Sequence, residues 1–447
     1  MISPFFIFVF MKEFIFYTPI ITSRIKYVLK LFFKDVYQLN YKIVDDVNIF
    51  KESTSIKINY SKNKIDENEV FVESSGMLTE KDIKKLDLRF FKLNDVEYLF
   101  KSTLQESYLH DVFSSIFYLV SRYEEYLPHL KDNYGRFLPE ESIAYQKNFL
   151  HKPIVNIWMK KFIDYVEISF PLFVIKKPNF KFISTIDVDN AFLFKGKGFL
   201  RSIGTICKSF FNFKNLMYAF SVLRKQRKDP FDTYSFQFNL QKKYKIDVRY
   251  FILLGNYGVN DKNLSHTNSS LISLVKRLAD FAPVGIHPSF ASNLDINIIQ
   301  TEIQRLEEIQ KREVKFSRQH FLQLSLPETY KKLCALGINE DFTMGYSSKL
   351  GFRAGISSPF SFYDLDMEQT LPIKVFPFCI TDHVLRFNLK IDSNAVISEI
   401  QDMINEVKGI NGTLIIRWHN DTFSNFGLWK DWKNVYEDIV KLINEIK

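Results

Sequence analysis

From Phe180 to Ile446 short apolar runs alternate with longer amphipathic ones, and this alternation constrains the fold more than any other feature. Strands are predicted at Phe180–Asp187, Val248–Leu254, Val284–His287, Val314–Ser317, Ile373–Asp382 and Thr413–Trp418. Helices are predicted around Ser269–Phe281, Ile296–Lys311, Pro327–Leu336, Asn394–Val407 and Trp432–Ile446. Strands separated by helices build βα units on a parallel sheet or barrel, since a parallel pairing needs a long crossover. Roughly seven units over about 270 residues suit a barrel better than an open sheet, although the pattern alone does not close it. The predicted class is α/β: a distorted (β/α)7-type barrel over residues 176–447, preceded by a smaller α+β domain over residues 1–175. The joint is the polar, Pro-containing stretch Lys176-Lys177-Pro178-Asn179.

Before the joint the pattern is mixed. Ser55–Tyr60 and Glu69–Glu73 alternate polar and apolar residues, as half-buried strands do. Val112, Phe113, Ile116, Phe117, Val120 and Tyr123 recur at helical spacing, in a helix that ends by Pro128. A second amphipathic stretch covers Ile154–Val166. His110, His129 and His151 fall at helix ends or in loops, where surface or capping roles are expected.

Composition removes several function classes. With 46% hydrophobic and 25% charged residues the chain is globular, and 15 Gly and 14 Pro are too few for long linkers or a collagen-like repeat. The 46 Phe are read as core filling under a bias toward AT-rich codons. The net charge of +9 permits a polyanionic partner, but no long Lys/Arg block accompanies it. Lys208–Lys228, with Phe210, Phe211 and Phe213, reads as a solvated helical face, so no nucleic-acid partner is expected. Cys207, Cys334 and Cys379 are scattered and odd in number; they build no disulfide framework and favour a reducing compartment, the cytoplasm. Ile2–Phe10 is apolar but lacks the basic flank and cleavage site of a secretion signal. Translation is expected to begin at Met11, with a weak signal or interfacial anchor as the alternative. No apolar run approaches the ~20 residues of a membrane span, so no integral membrane segment is expected.

The chemistry gathers at strand ends, where βα barrels build their active sites. Those positions hold Asp187 and Asp189; His287; Arg318 and His320; Asp382 with His383; and His419. Asp187 and Asp189, two apart on an extended chain, face the same side, and two close carboxylates need a cation or a shared proton. The same pair also fits a solvated strand end with an Asx turn. His287, fixed by Pro288, is a candidate metal ligand or a buried His bonded to a backbone carbonyl. Arg318 either keeps a catalytic carboxylate ionised or forms a rim salt bridge. His419 ends a buried strand, as a tuned acid–base group does, and Trp418 before it either walls the pocket or fills the core. P-loop, zincin and serine-hydrolase motifs are absent from the sequence.

These residues resemble those of the polysaccharide deacetylases, the NodB homology domain of carbohydrate esterase family 4. Asp187 and Asp189 match the family's base and metal-binding Asp in a spaced form. His287 matches the first His of its HxxxH pair, Arg318 the Arg that partners the base, and His419 the general acid. Over residues 11–447 the chain resembles a Bacteroidetes-type subgroup with an uncharacterised N-terminal domain. The residues that carry this likeness are Ser121–His129 (SRYEEYLPH), Asn133–Phe137 (NYGRF), Ser317–Leu322 (SRQHFL), Asp341–Tyr346 (DFTMGY), Gly351–Gly355 (GFRAG) and Trp418–Asn420 (WHN).

The resemblance implies a metal-dependent hydrolase that cleaves the N-acetyl amide, or less typically the O-acetyl ester, of a saccharide in surface polysaccharide metabolism. A divalent ion, Zn²⁺ with Co²⁺ or Ni²⁺ as alternatives, would polarise the acetyl carbonyl. Asp187 would take the proton of the attacking water, and His419 would protonate the leaving amine. One position departs from the family: the second His of the pair falls at 291, which is Ala. The metal set is therefore expected to be Asp189, His287 and His320, with Ser292 or Asn293 as weaker candidates. Without a third ligand, the barrel would instead be a catalytically degenerate glycan-binding or scaffolding module. Arg353 in the Gly-rich segment is expected to line the substrate groove, and Phe321 is placed to face a sugar ring.

Overall fold

A computed structural model describes residues 13–171, 173–197, 213–224 and 226–445. Met11, Cys207, Phe210 and Phe211 lie outside the described residues. The chain groups into two units, and neither is a single run of sequence. Unit 1 comprises Met1–Leu127, Ile154–Pro178 and Tyr363–Thr370; unit 2 comprises Pro128–Pro153, Asn179–Phe362 and Leu371–Lys447. Unit 2 thus takes in a segment that lies well before the Lys176–Asn179 joint. Among the described residues no helix is long and apolar enough to cross a membrane.

Unit 1 is built on β1 (Phe14–Tyr17), β2 (Tyr41–Val44), β3 (Ile56–Ser61) and β4 (Val70–Glu73), all parallel in the order β2-β1-β3-β4. An antiparallel pair, β5 (Phe91–Leu93) and β6 (Val96–Tyr98), forms a separate sheet. β3 is buried along its whole length rather than on one face, because its polar positions have partners. Lys57 Nζ meets Asp66 at 2.7 Å, and Asn59 Nδ2 donates to Glu69 at 2.8 Å. Many of the Phe side chains go into this core. Phe14, Phe16, Phe32, Phe33, Phe113 and Phe162 pack ring against ring, and the helix Val112–Val120 is buried on every side. His110 corrects the expectation of a surface or capping role. It is fully buried among Tyr98, Tyr108 and Trp158, and burial pushes its imidazole down to about 3.

Unit 2 carries β7 (Lys181–Val188), β8 (Asp247–Ile252), β9 (Val284–Ile286), β10 (Phe316–Ser317), β11 (Glu340–Asp341), β14 (Ile380–Thr381), β15 (Thr413–His419) and, apart from the Tyr363–Thr370 stretch grouped with unit 1, β12 (Phe360–Asp364) and β13 (Gln369–Val375). The sheet order β12-β13-β11-β10-β9-β8-β7-β15-β14 alone does not show closure. The stretch from β13 to β14 supplies it. β13 pairs in parallel with β11, and Phe376 N and Phe378 N continue that ladder to Asp341 O and Met344 O. Cys379 N then bonds Ile415 O on the opposite neighbour, and β14 pairs in parallel with β15. One bent stretch therefore bonds both ends of the ladder and makes a distorted (β/α)7-type barrel. Helices at Ser269–Phe281, Ile296–Gln310 and Val396–Gly409 fill crossovers predicted from sequence, and the predicted helix Trp432–Glu445 follows the last strand. Gly285 lets β9 approach β10: a Cβ there would lie 2.6 Å from the Phe316 carbonyl oxygen. That close approach sets the position of His287 two residues on.

Candidate functional site

The site lies at the carboxyl ends of parallel strands, and its centre is Asp187 on β7. This side chain is fully buried. Arg318 Nη1 donates to its Oδ1 at 2.9 Å, and Arg417 Nε donates to its Oδ2 at 2.6 Å. Burial alone would raise the carboxyl, but the guanidinium groups of Arg318 and then Arg417 hold it well below the usual carboxylate range. Arg318 is itself fully buried and donates through Nε to Phe342 O at 2.9 Å. Of the two sequence readings for Arg318, the structure shows the carboxylate partner rather than the rim pair. Breaking a buried ion pair from one side typically costs ~3–5 kcal/mol. Arg318→Met is expected to lower unfolding free energy by about 3 kcal/mol, since Arg417 still partners Asp187. Chemical denaturation measures this, and an unchanged midpoint would remove Arg318 from the network.

Beside Asp187 three side chains converge. Ligand atoms of Asp189, His287 and His320 all lie within 4.8 Å of one another. His287 Nε2 is 3.2 Å from Asp189 Oδ1, and His320 Nε2 is 3.6 Å from Asp189 Oδ2. Both imidazoles are held from behind. His287 Nδ1 donates to the Arg318 carbonyl oxygen, which leaves Nε2 as the bare nitrogen facing Asp189. His320 Nδ1 is 2.9 Å from Asp261 Oδ1. Asp261 also accepts from the amides of Phe290 and Ala291, so one carboxylate ties the turn after His287 to His320. His287 Nε2 and Asp189 Oδ1 are buried without a hydrogen-bond partner. Orphaned buried acceptors are rare, and two nitrogens with one carboxylate oxygen form a donor set suited to a zinc-like ion. The residues therefore fit a metal.

A second cluster lies across Asp187. His419 Nδ1 is 2.8 Å from Asp382 Oδ1, and Asp382 Oδ2 also accepts from the His419 amide at 2.8 Å and from Thr422 Oγ1. Arg417 Nη2 donates to His419 Nε2 at 2.8 Å, which puts the imidazole proton on Nδ1, toward Asp382. Burial lowers the His419 pKa, but Asp382 outweighs it and the net shift is upward. His383 stacks on His419 with centroids 3.8 Å apart, and burial pushes it down to about 3. Trp418 is fully buried against Trp432 and Tyr436, so it fills the core rather than walling a pocket. Arg353, expected in a groove, is only 2% exposed and donates to Gly345 O.

Three side chains of the site, Arg417, Asp261 and Thr422, were not singled out from sequence. Arg417 shares a face with His419 by the two-residue period of a strand, and that signal was available. Asp261 lies in the irregular stretch between β8 and Ser269, where no periodicity marks it.

Residues 14–171 match the model of a family of unknown function (DUF7033). No curated protein matches the chain. Solved structures similar to it include a Mycobacterium smegmatis protein described as a polysaccharide deacetylase (12% identity, TM-score 0.38, 59% of this chain and 87% of that one). A polysaccharide deacetylase from Bacillus cereus matches with 13% identity and TM-score 0.31 over 60% of this chain and 89% of that one. The Puue allantoinase matches with 10% identity and TM-score 0.37, over 58% and 84%.

Proposed function

We propose that the barrel is a metal-dependent hydrolase that removes N-acetyl, or O-acetyl, groups from a saccharide. What carries this reading is the convergence of Asp189, His287 and His320 beside a buried, ionised Asp187, with the Asp382–His419 pair across from it. The saccharide comes from the motif resemblance, and the cytoplasmic setting from the scattered cysteines.

Asp189, His287 and His320 would hold the ion, with Zn²⁺ preferred and Co²⁺ or Ni²⁺ as alternatives for the same donors. When bound, such an ion supplies Lewis acidity that polarises an acyl carbonyl and makes water more acidic. Asp187 would accept the proton of the attacking water, and the Arg318 and Arg417 guanidinium groups that keep it ionised also make it a weak base. His419 would take up a second proton from solvent at Nε2, which the upward shift of its pKa favours, and pass it to the leaving amine while Nδ1–H stays anchored on Asp382. In the structure Arg417 donates to that same Nε2, so turnover requires Arg417 to release it. This one contact favours the second reading, a barrel that binds glycans without turnover.

The experiment is acetate release from a panel of N-acetylated sugars by zinc-, cobalt- and nickel-loaded protein. Acetate released in step with free amine, and lost in Asp189→Asn, supports the hydrolase. Saccharide binding with no acetate under any metal supports the second reading.

Metal uptake carries its own pH signature. Burial would lower the His320 pKa, but Asp189 and Asp261 push it up to about 9 in the metal-free protein. Only neutral imidazole binds an ion, so below that pH each ion must displace a proton. Apparent affinity is expected to rise with pH, by about tenfold per unit between pH 6.5 and 7.5. Zinc titration calorimetry in two buffers of different ionisation enthalpy should show about one proton released per ion. A pH-independent affinity would contradict His320 as a ligand.

A further inference from the structure

The Asn133–Phe137 block has no part in the chemistry above, yet it belongs to the same unit as the site. Lys131 bridges Phe137 in an antiparallel pair, and Tyr134 sits at the tip of this small hairpin. The tip is tightly specified. Asp132 Oδ1 accepts from the amides of Tyr134 and Arg136, and its Oδ2 accepts from Arg136 Nε at 2.7 Å. Gly135 adopts φ +78°, a left-handed turn conformation that glycine takes without strain.

Two hydrogen bonds fasten the hairpin beside the metal cluster. Arg136 Nη1 donates to Phe321 O at 2.7 Å, and Gln323 Nε2 donates to Tyr134 O at 3.0 Å. The Tyr134 ring lies 5.1 Å from Phe321 and 6.0 Å from Phe290, and Phe290 is 5.3 Å from Phe321. Phe321 in turn lies 4.7 Å from the ring of His320. Phe321 and Leu322 both adopt left-handed backbone, with φ 58° and 55°, which is unfavourable for residues with side chains and tends to persist at functional sites. Despite all this fastening, Tyr134 remains 43% exposed.

We infer that the exposed Tyr134 ring, propped by Phe321 at 53° and by the edge of Phe290 at 80°, is a stacking platform for a pyranose ring of the substrate, an inference that rests on the saccharide reading above. Aromatic rings offer a flat apolar face at low entropic cost. The Arg136 guanidinium lies over one face of the Tyr134 ring, 4.9 Å from its centroid, and its charge is paired with Asp132 at 2.7 Å, so the other face suits a neutral sugar rather than an anion. With Phe321 against His320, a sugar whose acetyl group reaches the cluster lies within reach of these rings.

The test is binding of the N-acetylglucosamine tetramer to metal-free full-length protein, followed by calorimetry, with no turnover involved. Tyr134→Ala is expected to weaken binding about tenfold. Tyr134→Phe, which keeps the ring, should stay within about twofold of the parent. Equal affinity in the parent and Tyr134→Ala, including no measurable binding by either, overturns the platform. Ring-dependent binding without acetate release from metal-loaded protein would instead fail the hydrolase reading and leave the platform standing.

Discussion

Asp187→Asn is expected to lower kcat for deacetylation by about 10³-fold while zinc stoichiometry stays at the parent value. The substitution keeps the shape of the side chain and removes its negative charge. Asp187 is not among the three converging ligands, and its two oxygens are taken by Arg318 and Arg417. An amide can neither accept a proton from water nor balance two guanidinium groups. Some loss of stability therefore accompanies the loss of rate, because two buried cations are left without their carboxylate. Retained zinc is the control that separates the two: it shows that the strand ends are still assembled. Loss of zinc together with activity would move Asp187 into the metal set, and unchanged kcat would remove it as the base.

His320→Ala is expected to lower zinc affinity by at least about 100-fold and to abolish acetate release. It deletes one of three ligands and leaves Asp261 without its imidazole partner. Asp261→Asn, which keeps the size but weakens the acceptor behind His320, should cost about 10- to 100-fold in zinc affinity. The position that the family resemblance points to behaves differently. Ala291 opens a single 3-10 turn, Ala291–Asn293, and its amide meets Asp261. Ala291→Ser should therefore leave zinc affinity within about twofold, since it neither adds a strong ligand nor removes one. Competition against a chromogenic chelator measures all three. A His320→Ala variant that binds zinc like the parent would return the third ligand to Ser292 or Asn293.

Most of the barrel was legible in the sequence because its strands are buried on both faces and read as continuous apolar runs between amphipathic helices. β7, β8, β9 and β15 carry that signature, and Asp187, Asp189, His287 and His419 stand at their ends. Closure was not legible. β11 is only Glu340–Asp341, too short for periodicity, and the closing stretch is interrupted between Val375 and Ile380, where Pro377 sits. Its role appears only in hydrogen bonds to Asp341, Met344 and Ile415. The membership of Pro128–Pro153 in unit 2 was hidden for a similar reason. That segment is fastened by side chains such as Arg136 to residues nearly two hundred positions away, and no local pattern encodes such a pairing.

His110 shows the opposite failure. A His next to a helix start suggests a cap, yet here Asp111 accepts from the Ser114 amide, and the imidazole is enclosed by aromatic rings. In the site itself the geometry resolved what the sequence left open. The spaced carboxylates differ in their hydrogen-bond partners while sharing one neighbour: Asp187 accepts from two arginines, Asp189 lies beside two histidines, and His287 Nε2 is within 4 Å of both.

The most direct test of the metal centre is X-ray absorption at the zinc edge of the zinc-loaded protein. The expected spectrum shows one ion per chain with two imidazole nitrogens and oxygen at ~2.0–2.1 Å, and a single imidazole in His320→Ala. Sulfur scattering, a parent spectrum with fewer than two imidazoles, or an unchanged shell in His320→Ala would contradict the assignment of Asp189, His287 and His320.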